Sequence, residues 1–309
     1  MKRTKALFGI LTITMALAVQ VHAQTFLTNG LVAYYPFNEN ANDASGNGNN
    51  GTVNGSTLTA DRFGIPNSAY SFDGVSAQIN VPNSSYISSP TNAVTVAAWI
   101  LPRAYEDNKL CVSKGSHVNY FQRSYDIYGP WADGNWRATV STPTGEVFVV
   151  SSQKAILGEW SHVLMSYDGT AAKLYINGEL SGTQPASGTI NEPTEALTIG
   201  SQIFYAPSDY WFNGGIDDIR IYNRSFAVNE VQQLYYLESP TTLRIRKAVY
   251  VDSLNVKAGT NYQVQVSTDL STWGNYGSVF TATTNYWRST NYWDADNWGQ
   301  LFFRLQVAP

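Results

Sequence analysis

Two adjacent acids, Asp217 and Asp218, lie inside the run WFNGGIDDIRIYNRSFAVNEVQQLY at 211–235. Ile216, Ile219 and Ile221 alternate with polar residues there, as in a half-buried strand that follows a turn at Gly214-Gly215. Strict pleating sends the two aspartates to opposite faces and puts Asp217 on the buried one with Ile219 and Ile221. A carboxylate in that position needs a cation or hydrogen-bond donors. Asp218 is then expected to face solvent, within reach of Arg220. A further acid, Asp43, lies in NENANDASGNGNNGTVNG at 38–55. That run reads as a flexible surface loop or as a folded loop whose carbonyls and Asp43 hold a hard cation, because Asn and Gly tolerate the backbone that turns carbonyls inward.

The second chemistry on offer is ring stacking. SYDIYGPWADGNW (124–136) and IFYAPSDYW (203–211) are loop-like and rich in aromatics. They supply Tyr125, Tyr128, Trp131, Trp136, Tyr205, Tyr210 and Trp211 as candidate ligand-binding residues, with Asp126, Asp133 and Asp209 to bond hydroxyl groups. Large aromatics more often fill cores than sites, so only two or three of the seven are expected to touch a ligand. No catalytic constellation stands out. H-E-x-x-H, G-x-S-x-G and a P-loop are all missing. His117, in a loop, and His162, in a strand, are far apart and make a poor triad or zinc site with Cys111. Cys111 is the only cysteine and sits in an apolar run. It reads as a small buried hydrophobe and allows no intrachain disulfide.

The elements that must position these residues are strands. Composition is aromatic-rich, at 14 %, and poor in charge, also 14 %, with abundant Gly, Asn, Ser and Thr, as in all-β proteins. Short strands are predicted at 30–37, 94–101, 109–114, 124–128, 135–141, 147–151, 159–167, 172–176 and 196–201. Residues 69–74 and 77–81 are predicted to pair as a hairpin. Turn signals fall at Asp168-Gly169-Thr170 and Asn177-Gly178. This pattern predicts a β-sandwich or jelly roll. A short helix follows the Asp217 strand, with Ser225 as N-cap and Val228, Val231, Gln232, Leu234 and Tyr235 at helical spacing.

Residues 1–23 read as a secretory signal peptide: Lys2, Arg3 and Lys5, then an apolar run, then the small-x-small site Val21-His22-Ala23. The apolar run is short for a membrane span, so the mature chain is expected to be exported, without a membrane span. Without the leader's three cations, 16 basic residues face 23 acidic ones, a net charge of −7. That excludes nucleic acid as the expected partner.

GLVAYYPFNENANDASGNGNNGTVNG, AYSFDG, VTVAAWI, WSHV followed by DGTAAKLYINGE, LTIGS and FNGGIDDIRIYNRSFAVNEV occur in this order between 29 and about 237. Together they resemble the laminin-G-like, concanavalin A-like jelly rolls of exported bacterial proteins. The resemblance implies an all-β jelly-roll sandwich over 24–238, and a structural calcium where the first loop meets the last strand. Asp43, in D-x-S-G-N-G, and Asp217, before R-I-Y, match the family's recurrent acids, and oxygens near Asn38 and Asn50 would complete the shell. Hydrolases of this fold carry E-x-D-x-x-E on one strand, and no such run exists here.

Residues 239–309 resemble a small β-module appended to exported proteins of environmental bacteria, with TNYQVQVSTDLSTW at 260–273 and a closing F-x-R-L. An immunoglobulin-like sandwich is expected, with strands at 243–251, 261–267 and 301–307. The dense aromatics Tyr286, Trp287, Tyr292, Trp293 and Trp298 read as its core or as a sticky face. The expected function is a secreted, calcium-stabilised, non-catalytic module, monomeric, that binds polysaccharide or cell-surface glycan. A polysaccharide-degrading hydrolase or lyase of the same fold is the alternative, and a structural or adhesive protein the third.

Overall fold

The computed structural model describes residues 25–116, 122–202 and 210–240, and in the C-terminal part 248–249, 252–254, 256–288, 293–294 and 302–308. The leader, His117, Tyr205, Asp209, Tyr292 and Trp298 lie outside the described residues. The chain divides after Pro240 into two compact units.

The strands of the first unit are β1 Leu31–Tyr35, β2 Thr52–Asn54, β3 Thr57–Thr59, β4 Ala69–Asp73, β5 Gln78–Val81, β6 Val94–Pro102, β7 Leu110–Gly115, β8 Arg123–Tyr128, β9 Asn135–Thr142, β10 Gly145–Lys154, β11 Ser161–Tyr167, β12 Ala171–Ile176, β13 Glu179–Pro185, β14 Leu197–Ile199 and β15 Asn213–Tyr222. They form two antiparallel sheets. One has eight strands in the order β13-β12-β11-β6-β15-β4-β3, with β1 also paired to β15. The other has seven, in the order β10-β9-β8-β7-β14-β5-β2. One continuous core lies between them: Val94, Val96, Ala98 and Ile100 of β6 belong to the same buried cluster as Trp136, Ala138 and Val140 of β9. The jelly-roll expectation therefore holds. The 69–81 hairpin does not. β4 and β5 belong to different sheets, and Asp73 holds the crossover by accepting the N–H groups of Val75, Ser76 and Ala77.

Gly214 and Gly215 lie within β15 and form no turn. They are glycines because neighbours press close: a Cβ on Gly214 would sit 2.3 Å from the Leu101 carbonyl oxygen, and one on Gly215 2.9 Å from the Trp160 ring. The closing helix runs over Val228–Glu238, with Ala227 at the N-cap in place of Ser225. The Glu230 carboxylate accepts the Ala227 N–H at 2.8 Å, which secures that end. Val231 and Leu234 pack with Ala97, Leu164, Tyr175 and Tyr222 on the outer face of the eight-stranded sheet, so β6 is covered on both faces.

The second unit comprises β16 Ala248–Val249, β17 Asp252–Leu254, β18 Asn261–Ser267, β19 Gly274–Thr281, β20 Tyr286–Arg288, β21 Trp293–Asp294 and β22 Phe302–Val307. Its described strands form one three-stranded sheet, β19-β18-β22, and two short pairs, β16-β21 and β17-β20. The second unit is thus all-β among its described residues, and the strands expected at 261–267 and 301–307 are β18 and β22. Trp287 is stacked on Phe280, centroids 4.2 Å apart, a packing role rather than a free ring face.

Candidate functional site

The outer face of the seven-stranded sheet carries a single polar row. Cross-strand partners connect Thr52, Asn80, Thr198, Ser113, Asp126, Thr139 and Phe148, one residue from each strand. Directly opposed residues share a face. One residue along, the row Ile79, Ile199, Val112, Ile127, Ala138 and Val149 faces the core. The sheet is thus apolar inward and, along this line, hydroxyl, amide and carboxylate outward, with Ser113, Asp126, Thr139 and Thr198 covered and the row exposed at its ends, Thr52 and Phe148. At its centre Asp126, 1 % exposed, accepts the Ser113 hydroxyl at 2.6 Å and the Thr139 hydroxyl at 2.8 Å. At the β5 end, the side-chain oxygens of Gln78 and Asn80 are buried and accept no hydrogen bond. An amide oxygen left in that state costs about 1–3 kcal/mol, and a hydroxyl donor that reached it would relieve that cost.

The other end of the row is aromatic. Phe148, 40 % exposed, stacks on Tyr128 at 6.1 Å, and Trp131 meets Tyr128 edge-on at 6.2 Å. Arg137 lies 4.0 Å over the Trp131 ring and is held by both oxygens of Asp133, at 3.0 and 2.7 Å. Of the aromatic candidates, Tyr125 and Trp136 are core residues of the sandwich and are withdrawn as ligand contacts. Their strands alternate, and they share the inward face with Ile127 and Ala138. Tyr128 points outward but is itself covered. Trp131, Tyr210 and Trp211 are half-buried, and the Tyr210 carbonyl receives the Leu110 N–H, which brings that segment to the start of β7.

The two aspartates of β15 do something else. Ile216, Ile219 and Ile221 all face the core, which strict alternation forbids. A bulge between Asp217 and Arg220 in the β6 pairing supplies the extra residue, with Asp218 at φ 46°. Asp217 and Asp218 consequently emerge together on the outer face, beneath the closing helix. Arg62 grips both: Nη1 to Asp217 Oδ2 and Nη2 to Asp218 Oδ2, each at 2.7 Å. Its Nε donates to the Glu238 carbonyl, and its guanidinium lies between Phe63 and Trp99 at 4.5 and 4.6 Å. Arg220 pairs with Glu238 at 2.6 Å, not with Asp218. Trp99 Nε1 donates to Glu238 Oε2 and the Tyr34 hydroxyl to Asp218 Oδ1. His162 is fully buried between Trp99 and Tyr235. Burial, then the Arg62 and Arg220 charges, push its pKa down to about 3, so it is neutral.

The profile of the concanavalin A-like lectin/glucanases superfamily matches residues 73–232. The chain belongs to that superfamily. Similar solved structures include domain 4 of AbnA, a GH43 extracellular arabinanase from Geobacillus stearothermophilus, in complex with arabinotriose. It is 22 % identical at a TM-score of 0.54, over 66 % of this chain and 98 % of that one. The botulinum neurotoxin serotype G binding domain is 16 % identical at 0.52, over 76 % and 56 %. The botulinum neurotoxin DC binding domain in complex with SialylT is 12 % identical at 0.53, over 77 % and 57 %. At these identities the likeness is one of fold, and the chain spans little more than half of the toxin domains. Comparison with curated protein sequences found no match.

In this superfamily member the residues expected to hold calcium do not fit a shared ion. Asp43 Oδ1 accepts the N–H groups of Tyr34 and Ser45, and its Oδ2 accepts that of Asn49, at 2.8–3.0 Å. Asn50 Oδ1 accepts the Asp43 N–H, and Asn38 is exposed, its carbonyl bonded to the Asn40 amide. Asp43 meets the main-chain end of Tyr34 while Asp218 meets the phenol end, so the two acids do not converge. Every carboxylate oxygen named here faces N–H or O–H donors, and Asp217 and Asp218 already have the Arg62 guanidinium as their counter-charge. The 38–55 loop is instead tied by its own amides: Asn47 and Asn49 donate to the carbonyls of Leu31 and Val32. Asp43→Ala is expected to lower stability by about 1 kcal/mol, the typical cost of losing a side-chain cap on backbone N–H groups, with no dependence on calcium. Urea denaturation in calcium and in chelator checks this.

Proposed function

We propose that the protein is an exported, monomeric, non-catalytic carbohydrate-binding protein that engages a glycan along the outer face of its seven-stranded sheet. The observation that carries this reading is that row, polar on six strands and aromatic on the seventh, with its exposed ends at Thr52 and Phe148. It has orphaned amide oxygens at one end and exposed aromatic surface at the other. Sugar rings offer hydroxyls for the first and apolar C–H faces for the second. Arabinotriose and SialylT in complexes of two structural neighbours support glycans as the ligand class. The hydrolase alternative needs two carboxyl groups facing across a substrate. Asp126 is the one carboxylate in the row, and two hydroxyls hold it. Calcium has no part in this reading, because the expected ligands are committed elsewhere.

The test is a glycan array followed by titration calorimetry on the best ligand. Trp131→Ala and Asn80→Ala are each expected to raise Kd about tenfold, about 1.4 kcal/mol, with melting temperatures near wild type. Wild-type affinity in both variants, or an array without a single neutral or acidic glycan bound, would overturn the assignment.

A further inference from the structure

We infer that the second unit carries its own recognition site, for the carboxylate of an acidic polysaccharide, built around Arg304. The site lies on one face of the three-stranded sheet. Asn275, Gln265 and Arg304 are cross-strand partners on β19, β18 and β22, so their side chains share that face. They are coupled in sequence: Gln265 Nε2 donates to Asn275 Oδ1 at 2.7 Å, and Arg304 Nε donates to Gln265 Oε1 at 2.8 Å. The guanidinium carbon stands 4.2 Å from the centroid of Trp273, and the Trp273 indole N–H is in turn fixed on the Leu270 carbonyl. Arg304 is therefore held flat by a ring on one side and an amide at its Nε.

What it lacks is an acid. Arg62, Arg123, Arg137, Arg220 and Arg224 each pair with a carboxylate. Among the described residues Arg304 pairs with none, although it is exposed. Its Nε is used and, among the described residues, its two terminal nitrogens are not, which leaves the pair of N–H donors that matches a carboxylate in bidentate fashion. A guanidinium already fixed loses less freedom on binding than a mobile one. Charge is divided in the same sense: residues 241–309 hold six basic and four acidic residues, net +2, against ten and nineteen in 24–240, net −9. An anionic polymer is favoured by the former and repelled by the latter. The amides Gln265, Asn275 and Gln306 beside the guanidinium offer partners for ring hydroxyls, which makes a uronate the fitting carboxylate rather than an acidic side chain. This site is independent of the outer-sheet reading of the first unit.

The experiment is affinity electrophoresis of the full chain in gels containing polygalacturonate, neutral arabinan or poly-L-glutamate, at 150 mM salt to suppress unspecific attraction. Polygalacturonate is expected to retard the wild type, and Arg304→Gln to weaken that retardation at least tenfold. Lys257→Gln removes one exposed charge of the same unit outside the site and should leave retardation unchanged, which separates this site from general attraction to the unit's net charge. Arg304→Lys keeps the charge and the stem but not the fork, and carries the same expectation of weakening should the glutamine variant lose stability. Equal retardation of Arg304→Gln or Arg304→Lys and wild type would overturn the site. Equal retardation of the wild type by poly-L-glutamate would overturn the glycan assignment in favour of an acidic polypeptide.

Discussion

Arg62→Ala is expected to destabilise the first unit by about 3–5 kcal/mol, the cost of stranding a buried charge by removal of its partner. The Arg62 side chain is 4 % exposed and its two ion pairs are both 2.7 Å long. Its removal leaves Asp217 and Asp218 adjacent, on one face of one strand, with only the Tyr34 hydroxyl and a main-chain N–H to compensate them. It also frees the Glu238 carbonyl at the end of the closing helix, so the helix loses its tie to the 60–68 loop. Lysine is no substitute, because a single ammonium cannot span two carboxylates and a carbonyl. In a double-mutant cycle, Arg62→Ala in an Asp217→Asn background should cost substantially less than in wild type. Urea denaturation measures both. Additive effects of the two substitutions would show that the pair contributes little. A wild-type melting temperature that drops in chelator would show that a metal, rather than Arg62, balances the acids.

The superfamily was legible because its marks are local: AYSFDG, VTVAAWI, LTIGS and IDDIRIY each carry a strand and its facing. The functional face was only partly so. Alternation places Tyr125 with Ile127, and Trp136 with Ala138 and Val140, on the inward side, and this pattern is visible in the one-dimensional text. The polar row is not, because Asn80, Thr198, Ser113, Asp126 and Thr139 become neighbours only once five strands are set in register. The bulge in β15 left a readable trace. Ile216 to Ile219 is a step of three and Ile219 to Ile221 a step of two, so a strand keeping all three isoleucines inward must contain one extra residue. Aspartate tolerates the left-handed backbone this demands at position 218. Reading strict alternation through the bulge turned Asp217 inward and split it from Asp218. The cation that answers both acids lies 155 residues upstream of Asp217, beyond the reach of any spacing rule. A family calcium then stood in for a guanidinium.

The same cluster fixes how stability responds to pH. Three carboxylates, those of Asp217, Asp218 and Glu238, face two guanidiniums, those of Arg62 and Arg220, with neutral His162, Trp99, Tyr34 and Tyr235 packed around them. The odd negative charge is relieved by one proton. Burial first, and the Asp218 charge next, raise Asp217 to about 8 and Glu238 to about 7. A carboxyl whose folded pKa is raised binds its proton more tightly in the native state. Its contribution is therefore complete below the unfolded pKa near 4 and is lost as pH rises through 7 to 8. His162 acts oppositely at lower pH: folded at about 3 and unfolded at about 6.5, it removes stability as pH falls below 6.5. From about 4.5 to 6.5 one native proton and one unfolded-state proton cancel, and stability should be level. From 6.5 to 8 the carboxyl effect stands alone. One proton over that interval is worth about 2 kcal/mol. Above pH 8, Lys114, lowered to about 8 by burial, loses its proton in the native state and the slope changes, while the Cys111 thiol, raised by burial, stays protonated. Urea denaturation at half-unit steps from pH 5 to 8 should show the plateau and then the fall. In Asp217→Asn the shared proton is no longer needed, since two guanidiniums then face two carboxylates, and the fall above 6.5 should flatten. A wild type whose stability climbs between 6.5 and 8, or a variant that retains the full loss, would mean that all three acids are ionised together and that the cluster carries a net negative charge beneath the helix.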